Sequence, residues 1–305
     1  VKLGFVGVGK HAQKMAAAFR ECGAEVVAYD RRQPVQDSPA FEDFGDWLPW
    51  QEQIKSPGID ALIICAPPAV TTEVALACAK AGKRCVATKP LMLDTPPEAG
   101  IVIDMRNVGG TVWRDSHYYV DLWRLYSPAW LAMKDELRGK TIQSVHVDFY
   151  GNGPVRGFSG LLDYGPHALA FVADLMGEIP EMTWRQEVDT FRGHKHAAWG
   201  SGERVSVTTG NGFIAGGQTM RVTVKADGLR YAWIEDEGNH VYRVDGAPSG
   251  APVMVADRAI ALRAFCRAFL AGEPSNTLRI SCEAHRVLAS IESGRDLELC
   301  RSGSP

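Results

Sequence analysis

The sequence is short of several things, and each shortage narrows what the chain can do. Its 305 residues set 33 Lys and Arg against 36 Asp and Glu, a formal charge of −3, so no basic excess is present for nucleic acid or anionic lipid. A small-molecule partner is favoured. Although 46% of the residues are hydrophobic, charges interrupt every long apolar run, and no segment reads as a bilayer span. The seven cysteines are odd in number, scattered and never in C-x-x-C spacing, which fits reduced thiols in a cytosolic protein. Residue 1 already reads as strand, which leaves no room for a signal peptide and gives a cytoplasmic expectation. There is no repeat, no low-complexity tract, no G-x-S-x-G elbow, no H-E-x-x-H and no P-loop. His194-Lys195-His196 has H-x-H spacing, but no neighbouring cysteine or carboxylate completes a set, so the segment reads as a solvated loop and no metal is expected.

What is present begins at residues 3 to 12, Leu-Gly-Phe-Val-Gly-Val-Gly-Lys-His-Ala, where an apolar run breaks at Gly7 and Gly9 and reaches a small residue at Ala12. This predicts strand, tight turn and helix. In a dinucleotide-binding βαβ unit Gly7 permits the turn, Gly9 lets the backbone approach a pyrophosphate, and Ala12 lets the helix pack closely. The phosphates would lie over Gly7 to His11, Lys10 included, against the free amides of the helix start. A second run, Ala24 to Asp30, ends in an acid near the offset expected for a carboxylate on the adenosine ribose. Asp30 favours NAD; Arg31 and Arg32 could attract the 2′-phosphate of NADP or stack on adenine.

Further on, Met15, Ala16 and Phe19 continue a helical spacing that stops at Cys22-Gly23. Residues 31–46 read as a loop leading to Trp47-Leu48-Pro49-Trp50, whose structure the pattern leaves open. Ile59 to Ala66 is a continuous apolar run of the kind buried on both faces of a parallel sheet, and it ends at Pro67-Pro68. A helix at 69–81, a strand at 84–88 ending at Lys89-Pro90, a helix near 95–107 and a strand from Thr111 to about Ser116 complete a doubly wound α/β pattern. The rhythm then changes. A helical stretch at about 121–138, a strand at 141–150, a helix at about 164–176, and alternating segments at 182–190, 204–209, 219–225, 230–236 and 240–244 predict an open, mainly antiparallel sheet with helices on one side. Helices near 256–271 and 280–298 follow. The fold class is therefore α/β: a dinucleotide-binding domain over 1–116 and an α+β substrate-binding and oligomerisation domain over 117–305. An open sheet leaves one face bare, where Met182, Trp184 and Trp233 could form an apolar patch, so a homodimer or homotetramer is expected.

Two places could carry chemistry. Lys89 falls at the carboxyl end of a parallel strand, where ligands of open α/β sheets bind, though a Lys-Pro pair also suits an ordinary solvated loop. In Leu162-Asp163-Tyr164-Gly165-Pro166-His167, Pro166 suits a first helical turn, so the helix should begin near Gly165 with Asp163 at its cap and His167 one turn in. The helix dipole would disfavour a charged imidazole there and the carboxylate would favour it, leaving a histidine able to exchange protons near neutrality. A capping aspartate with a structural histidine fits the same residues.

With Gly7 to Ala12, Asp30, the Ala66-Pro67-Pro68 strand end, Lys89-Pro90 and Asp163-x-Gly165-x-His167 in order, the chain resembles the glucose-fructose oxidoreductase and inositol dehydrogenase (Gfo/Idh/MocA) superfamily over nearly its whole length. The resemblance implies an NAD(P)-dependent oxidoreductase acting on a secondary alcohol or ketone of a sugar, nucleotide sugar or cyclitol. It implies that Lys89 and His167 share acid–base work, with Asp163 orienting them, and that Ala66 and Pro67 line the cofactor. Thr88 stands where the family has a glutamate, and Asp115 to Tyr119 departs from the family's Asn- and Arg-containing stretch. His117, Tyr118 and Tyr119 would face the substrate cleft with Tyr164, or else pack at a domain junction. A non-catalytic dinucleotide sensor and an NAD-dependent glycosidase are the alternatives on the same fold.

Overall fold

The computed structural model describes residues 1–31, 44–89, 117–151, 160–189, 195–211, 219–236, 238–245 and 252–292. They fall into two compact units, Val1–Asp121 with Leu262–Cys282, and Leu122–Ala261 with Glu283–Pro305.

The first unit is a parallel sheet of β1 (Lys2–Val6), β2 (Glu25–Asp30), β3 (Asp46–Trp47), β4 (Ala61–Ile64), β5 (Arg84–Ala87) and β6 (Tyr118–Val120), in the order β3-β2-β1-β4-β5-β6. The chain builds outward from β1 in one direction and then, from β4, in the other. That makes the gap between β1 and β4 a topological switch point, where open α/β sheets take ligands. All four residues of β4 are fully buried, as a strand covered on both faces should be. Helix α1 (Lys10–Glu21) turns Ala12, Met15, Ala16 and Phe19 inward. Helices α2 (Trp50–Lys55) and α3 (Pro68–Lys80) complete the βα rhythm. The strand β3 and helix α2 fill the stretch that the pattern left open; two paired residues are too short a run to read from sequence.

The same unit takes in the end of α6 (Arg258–Ala271) and the start of α7 (Thr277–Glu292). Tyr119 packs edge-on against Phe265 and Phe269 at 5.7 and 5.2 Å, and its hydroxyl donates to the Glu273 carbonyl. Thr277 Oγ1 accepts the Val120 amide at 3.1 Å, satisfying a donor on the outermost strand. The expected helix at 95–107 and strand at 111–116 lie outside the described residues.

The second unit holds a mixed sheet of β7 (Ile142–Gly151), β8 (Thr183–Asp189), β9 (Lys195–Ser201), β10 (Val205–Asn211), β11 (Thr219–Ala226), β12 (Leu229–Asp236), β13 (Asn239–Asp245) and β14 (Met254–Asp257). Its order is β14-β13-β12-β11-β7-β10-β9-β8, parallel only between β7 and β10. Asp227 and Gly228, with φ of 48° and 80°, make the tight β11–β12 turn, for which an Asp-Gly pair is the sequence signal. The helix expected at 121–138 is broken by Ser127-Pro128 into a 3-10 turn, Trp123–Tyr126, and α4 (Pro128–Glu136). Lys195 and His196 belong to strand β9, not to a loop.

Helix α5 (Gly160–Met176) starts earlier than expected, so Pro166 lies inside it and Asp163 does not cap it. Phe171 of α5, Trp130 of α4 and Trp233 of β12 pack together, with centroids 4.6 to 6.5 Å apart. Trp233 is fully buried and Met182 is 4% exposed, which corrects their expected place on a bare face. Trp184 lies in β8, outside the described side chains. The opposite face carries His146, Asp148 and Arg221, then Ile234, Val241 and Val255 along one row of the register.

Candidate functional site

The carboxyl edge of the first sheet gathers most of the predicted positions. Gly7 has φ of +87°, and a Cβ there would lie 2.3 Å from the Cys65 carbonyl oxygen, so the turn after β1 admits only glycine. Gly9 is the N-cap of α1 in extended backbone, and a Cβ built on it meets nothing within 4 Å. No side chain caps this helix and no acid occupies its first turn. An uncapped positive helix end behind a glycine-cleared turn is what a bound anion requires. A dinucleotide pyrophosphate fits these residues: Gly7 and Gly9 supply the clearance, exposed Lys10 and His11 flank it, and fully buried Ala12 packs beneath.

Asp30 ends β2 beside this turn, and Gly7 N donates to its carbonyl at 3.0 Å. Its side chain also supports the fold, since Oδ2 accepts the Trp50 amide at the start of α2, at 2.9 Å. Arg31 is exposed, and its carbonyl accepts from Trp47 Nε1; Arg32 lies outside the described residues. After β4, Thr71 Oγ1 donates to the Ala66 carbonyl at 2.8 Å and Thr71 N to that of Pro67 at 2.9 Å, pinning the loop between β4 and α3. Pro68 begins α3, where its missing amide costs nothing. Thr88 N bonds to Ile64 O at 2.9 Å, which sets the end of β5 level with that of β4 and puts half-buried Lys89 on the carboxyl edge.

Tyr118 and Tyr119 are corrected. They are strand β6 itself, 2% and 0% exposed, and Tyr119 is spent on the aromatic packing described above, so neither lines a cleft. His117 joins the strand through its carbonyl, which accepts from Cys85 N at 2.9 Å. The residue at the carboxyl end of this strand is instead Asp121, which sequence reasoning missed. Its Oδ2 lies 2.6 Å from His11 Nε2. Reading the sixth strand as ending near Ser116 hid it; a strand over Tyr118–Val120 would have made Asp121 the strand-end acid. Desolvation, with Asp121 as a secondary cause, pushes the Cys65 thiol well above its ordinary range, so it is no nucleophile.

Asp163 and His167 lie in the second unit, four residues apart on α5, while Lys89 lies in the first. His167 is not in a first turn, so the dipole argument does not apply to it. It is 7% exposed, with its ring edge-on to Phe149 at 5.5 Å. The side chains of Asp163 and Tyr164 lie outside those described. Phe149 also lies under the Arg124 guanidinium at 5.4 Å, and Arg124 Nε donates to Glu235 Oε2 at 2.6 Å. Arg258 reaches Glu235 Oε1 at 3.2 Å. Burial acts to raise the Glu235 carboxyl, but Arg124, His240 and Arg258 outweigh it and hold it below the usual range. This buried pair was also missed; the signal was a glutamate on the core-facing alternation Tyr231, Trp233, Glu235.

Residues 1–111 match the family described as an oxidoreductase family with an NAD-binding Rossmann fold. No curated protein matches the chain. Among solved structures, one assigned as a myo-inositol dehydrogenase from Sinorhizobium meliloti is similar with TM-score 0.74 at 18% identity, over 97% of this chain and 98% of that one. A biliverdin reductase from Synechocystis, solved with biliverdin and NADP+, is similar with TM-score 0.71 at 18% identity, over 97% and 99%. A levoglucosan dehydrogenase solved with NADH and levoglucosan gives TM-score 0.72 at 16% identity, over 96% of each chain. At such identities the likeness is one of fold.

Proposed function

We propose that the chain is an oxidoreductase of the Gfo/Idh/MocA family, whose model residues 1–111 match, and that it moves a hydride between nicotinamide and a secondary alcohol or ketone of a sugar, nucleotide sugar or cyclitol. The observation that carries this is the uncapped, glycine-cleared start of α1 at the switch point of the sheet, with Lys89 on the same carboxyl edge. The first unit, Val1–Asp121 with Leu262–Cys282, binds the dinucleotide; the second binds substrate and assembles the protein into a homo-oligomer through the sheet face bearing Ile234, Val241 and Val255. Myo-inositol and levoglucosan dehydrogenases of the same fold support a polyhydroxylated substrate, whereas the biliverdin reductase shows that the fold also serves a tetrapyrrole.

The nicotinamide supplies the hydride acceptor or donor. Gly7, Gly9 and the first amides of α1 hold the pyrophosphate, and Asp30, with one oxygen engaged at Trp50, offers the other to the ribose hydroxyls, which favours NAD. Lys89 and His167 share the proton that leaves or returns to the substrate oxygen, and Asp163 orients them. Thr88 leaves the lysine without the glutamate that the family resemblance would put beside it. A general acid or base is worth roughly 10²- to 10⁴-fold in rate. His167→Ala and Lys89→Met should therefore lose kcat on that scale, on a substrate drawn from a panel of sugars and cyclitols, while NADH dissociation constants stay near the parent's. Near-parental kcat in both would remove the proton-transfer pair, and NADH binding with no turnover on any member of the panel would favour a dinucleotide sensor.

A further inference from the structure

One hydrogen bond at the carboxyl edge of the first sheet ties its two halves together. His11 is in the first turn of α1, Asp121 follows β6, and β4 and β5 stand between β1 and β6, so the 2.6 Å contact of Nε2 with Oδ2 crosses the ends of two strands. A dinucleotide at this switch point runs along the same edge. The Asp121 side chain is 4% exposed and the His11 side chain 43%, so the carboxylate acts on a ligand through the imidazole. With Nε2 committed to Asp121, Nδ1 is an acceptor when the ring is neutral and a donor when it is protonated. Only the second state suits phosphate oxygens.

We propose that His11 holds the phosphates of the dinucleotide as an imidazolium backed by Asp121, so that cofactor and one proton bind together. This rests on the dinucleotide reading above and adds a residue and a proton to it. Of the other titratable or charged groups, Lys10 and Lys14 share α1 with His11, the Cys65 and Cys266 thiols feel the Asp121 charge, and Arg267 acts on Cys266. Desolvation raises both thiols, with Asp121 a further cause in each, and keeps them neutral. Among these kinds of side chain, imidazole is the one that ordinarily changes charge across neutral pH.

Proton uptake on binding means that affinity falls as pH rises, by about tenfold for each unit by which the ligand raises the proton affinity of the ring. NADH is the probe, because its pyrophosphate does not titrate in this range, whereas a 2′-phosphate, with a second ionisation near pH 6, does. Fluorescence titration should show NADH binding roughly tenfold weaker at about pH 8.5 than at about pH 6. Calorimetry in two buffers of different ionisation heat should count a proton taken up. His11→Gln keeps a donor for Asp121 and should bind NADH without proton uptake or pH dependence. Asp121→Asn should take up fewer protons at the same pH. Parent binding without proton uptake, or the parent's pH profile persisting in His11→Gln, overturns the proposal while leaving the cofactor site standing. Absence of NADH and NADPH binding at either pH overturns both.

Discussion

The two sheets keep their polar groups in different places. In the parallel sheet of the first unit they collect at one edge: Asp30 closes β2, and Lys89 and Asp121 follow the carboxyl ends of β5 and β6, level with the turns at Gly7 and at Ala66 to Pro67. In the mixed sheet of the second unit they sit within the strands. Glu235 and His240 lie on the helix-covered face, 2% and 0% exposed, while His146 and Asp148 lie on the other. A sheet covered on both faces has only its edges to offer a ligand, so its chemistry gathers where the chain leaves each strand. A sheet of alternating strands can carry charge inward, provided the charge is paired.

The strongest test of that contrast is the buried pair. Arg124 and Glu235 are 6% and 2% exposed at the side chain, and removing one partner of a buried pair costs about 3–5 kcal/mol. Arg258 remains beside Glu235, so Arg124→Met should lose about 3 kcal/mol in urea unfolding and leave NADH affinity alone. The pH dependence has a definite sign. A carboxyl held below its unfolded value stabilises the fold above that value, and this part is lost as pH falls below about 4.5 through the folded value. A loss under about 1 kcal/mol would mean that this charge is no more tightly coupled than a surface pair.

The contrast also explains what could be read from sequence. Apolar runs that stop at Gly7, Asp30, Pro67 and Lys89 are strand ends by inspection, and the structure puts them on one edge. Asp121 escaped because a strand end expected near Ser116 falls four residues short of the observed end at Val120, and in a three-residue strand that loses the end. Alternation in β11 and β12 announced a half-buried sheet, yet alternation fixes only that two faces differ, not which one the helices cover. Trp233 was assigned to the wrong face for that reason. Pro166 misled differently: proline is commonest in a first turn, and α5 carries it in the interior.

A second, smaller effect sharpens the edge side of the comparison. Because nothing lies within 4 Å of a Cβ at Gly9, Gly9→Val should fold with parental stability and fail only toward the ligand. A loss of roughly 100-fold in NADH affinity is expected, equivalent to about 2.7 kcal/mol. Gly7→Ala differs, since positive φ and the Cys65 carbonyl at 2.3 Å make the damage structural. If Gly9→Val bound NADH as tightly as the parent, the pyrophosphate would have to lie elsewhere.

The smallest effect belongs to the other face of the mixed sheet. The hydrogen bond that its ring donates to Asp148 holds the His146 imidazole above its ordinary range, against partial burial and the charges of Arg230 and Arg221. Nε2 lies 2.9 Å from Asp148 Oδ2, and Nδ1 lies 2.6 Å from Ser206 Oγ. A histidine raised on folding stabilises the fold fully below its unfolded value, near pH 6.5, and this contribution disappears as pH rises through the folded value. His146 is 43% exposed, so solvent screening keeps the energy under about 1 kcal/mol. Asp148→Asn should lower the His146 titration midpoint in proton NMR, reduce stability below about pH 6.5 and leave it unchanged once pH has passed the folded value, so that the profile flattens between the two. An unshifted midpoint would show that Ser206, not Asp148, governs the ring, and that charges on this face act singly while those on the covered face act as a set.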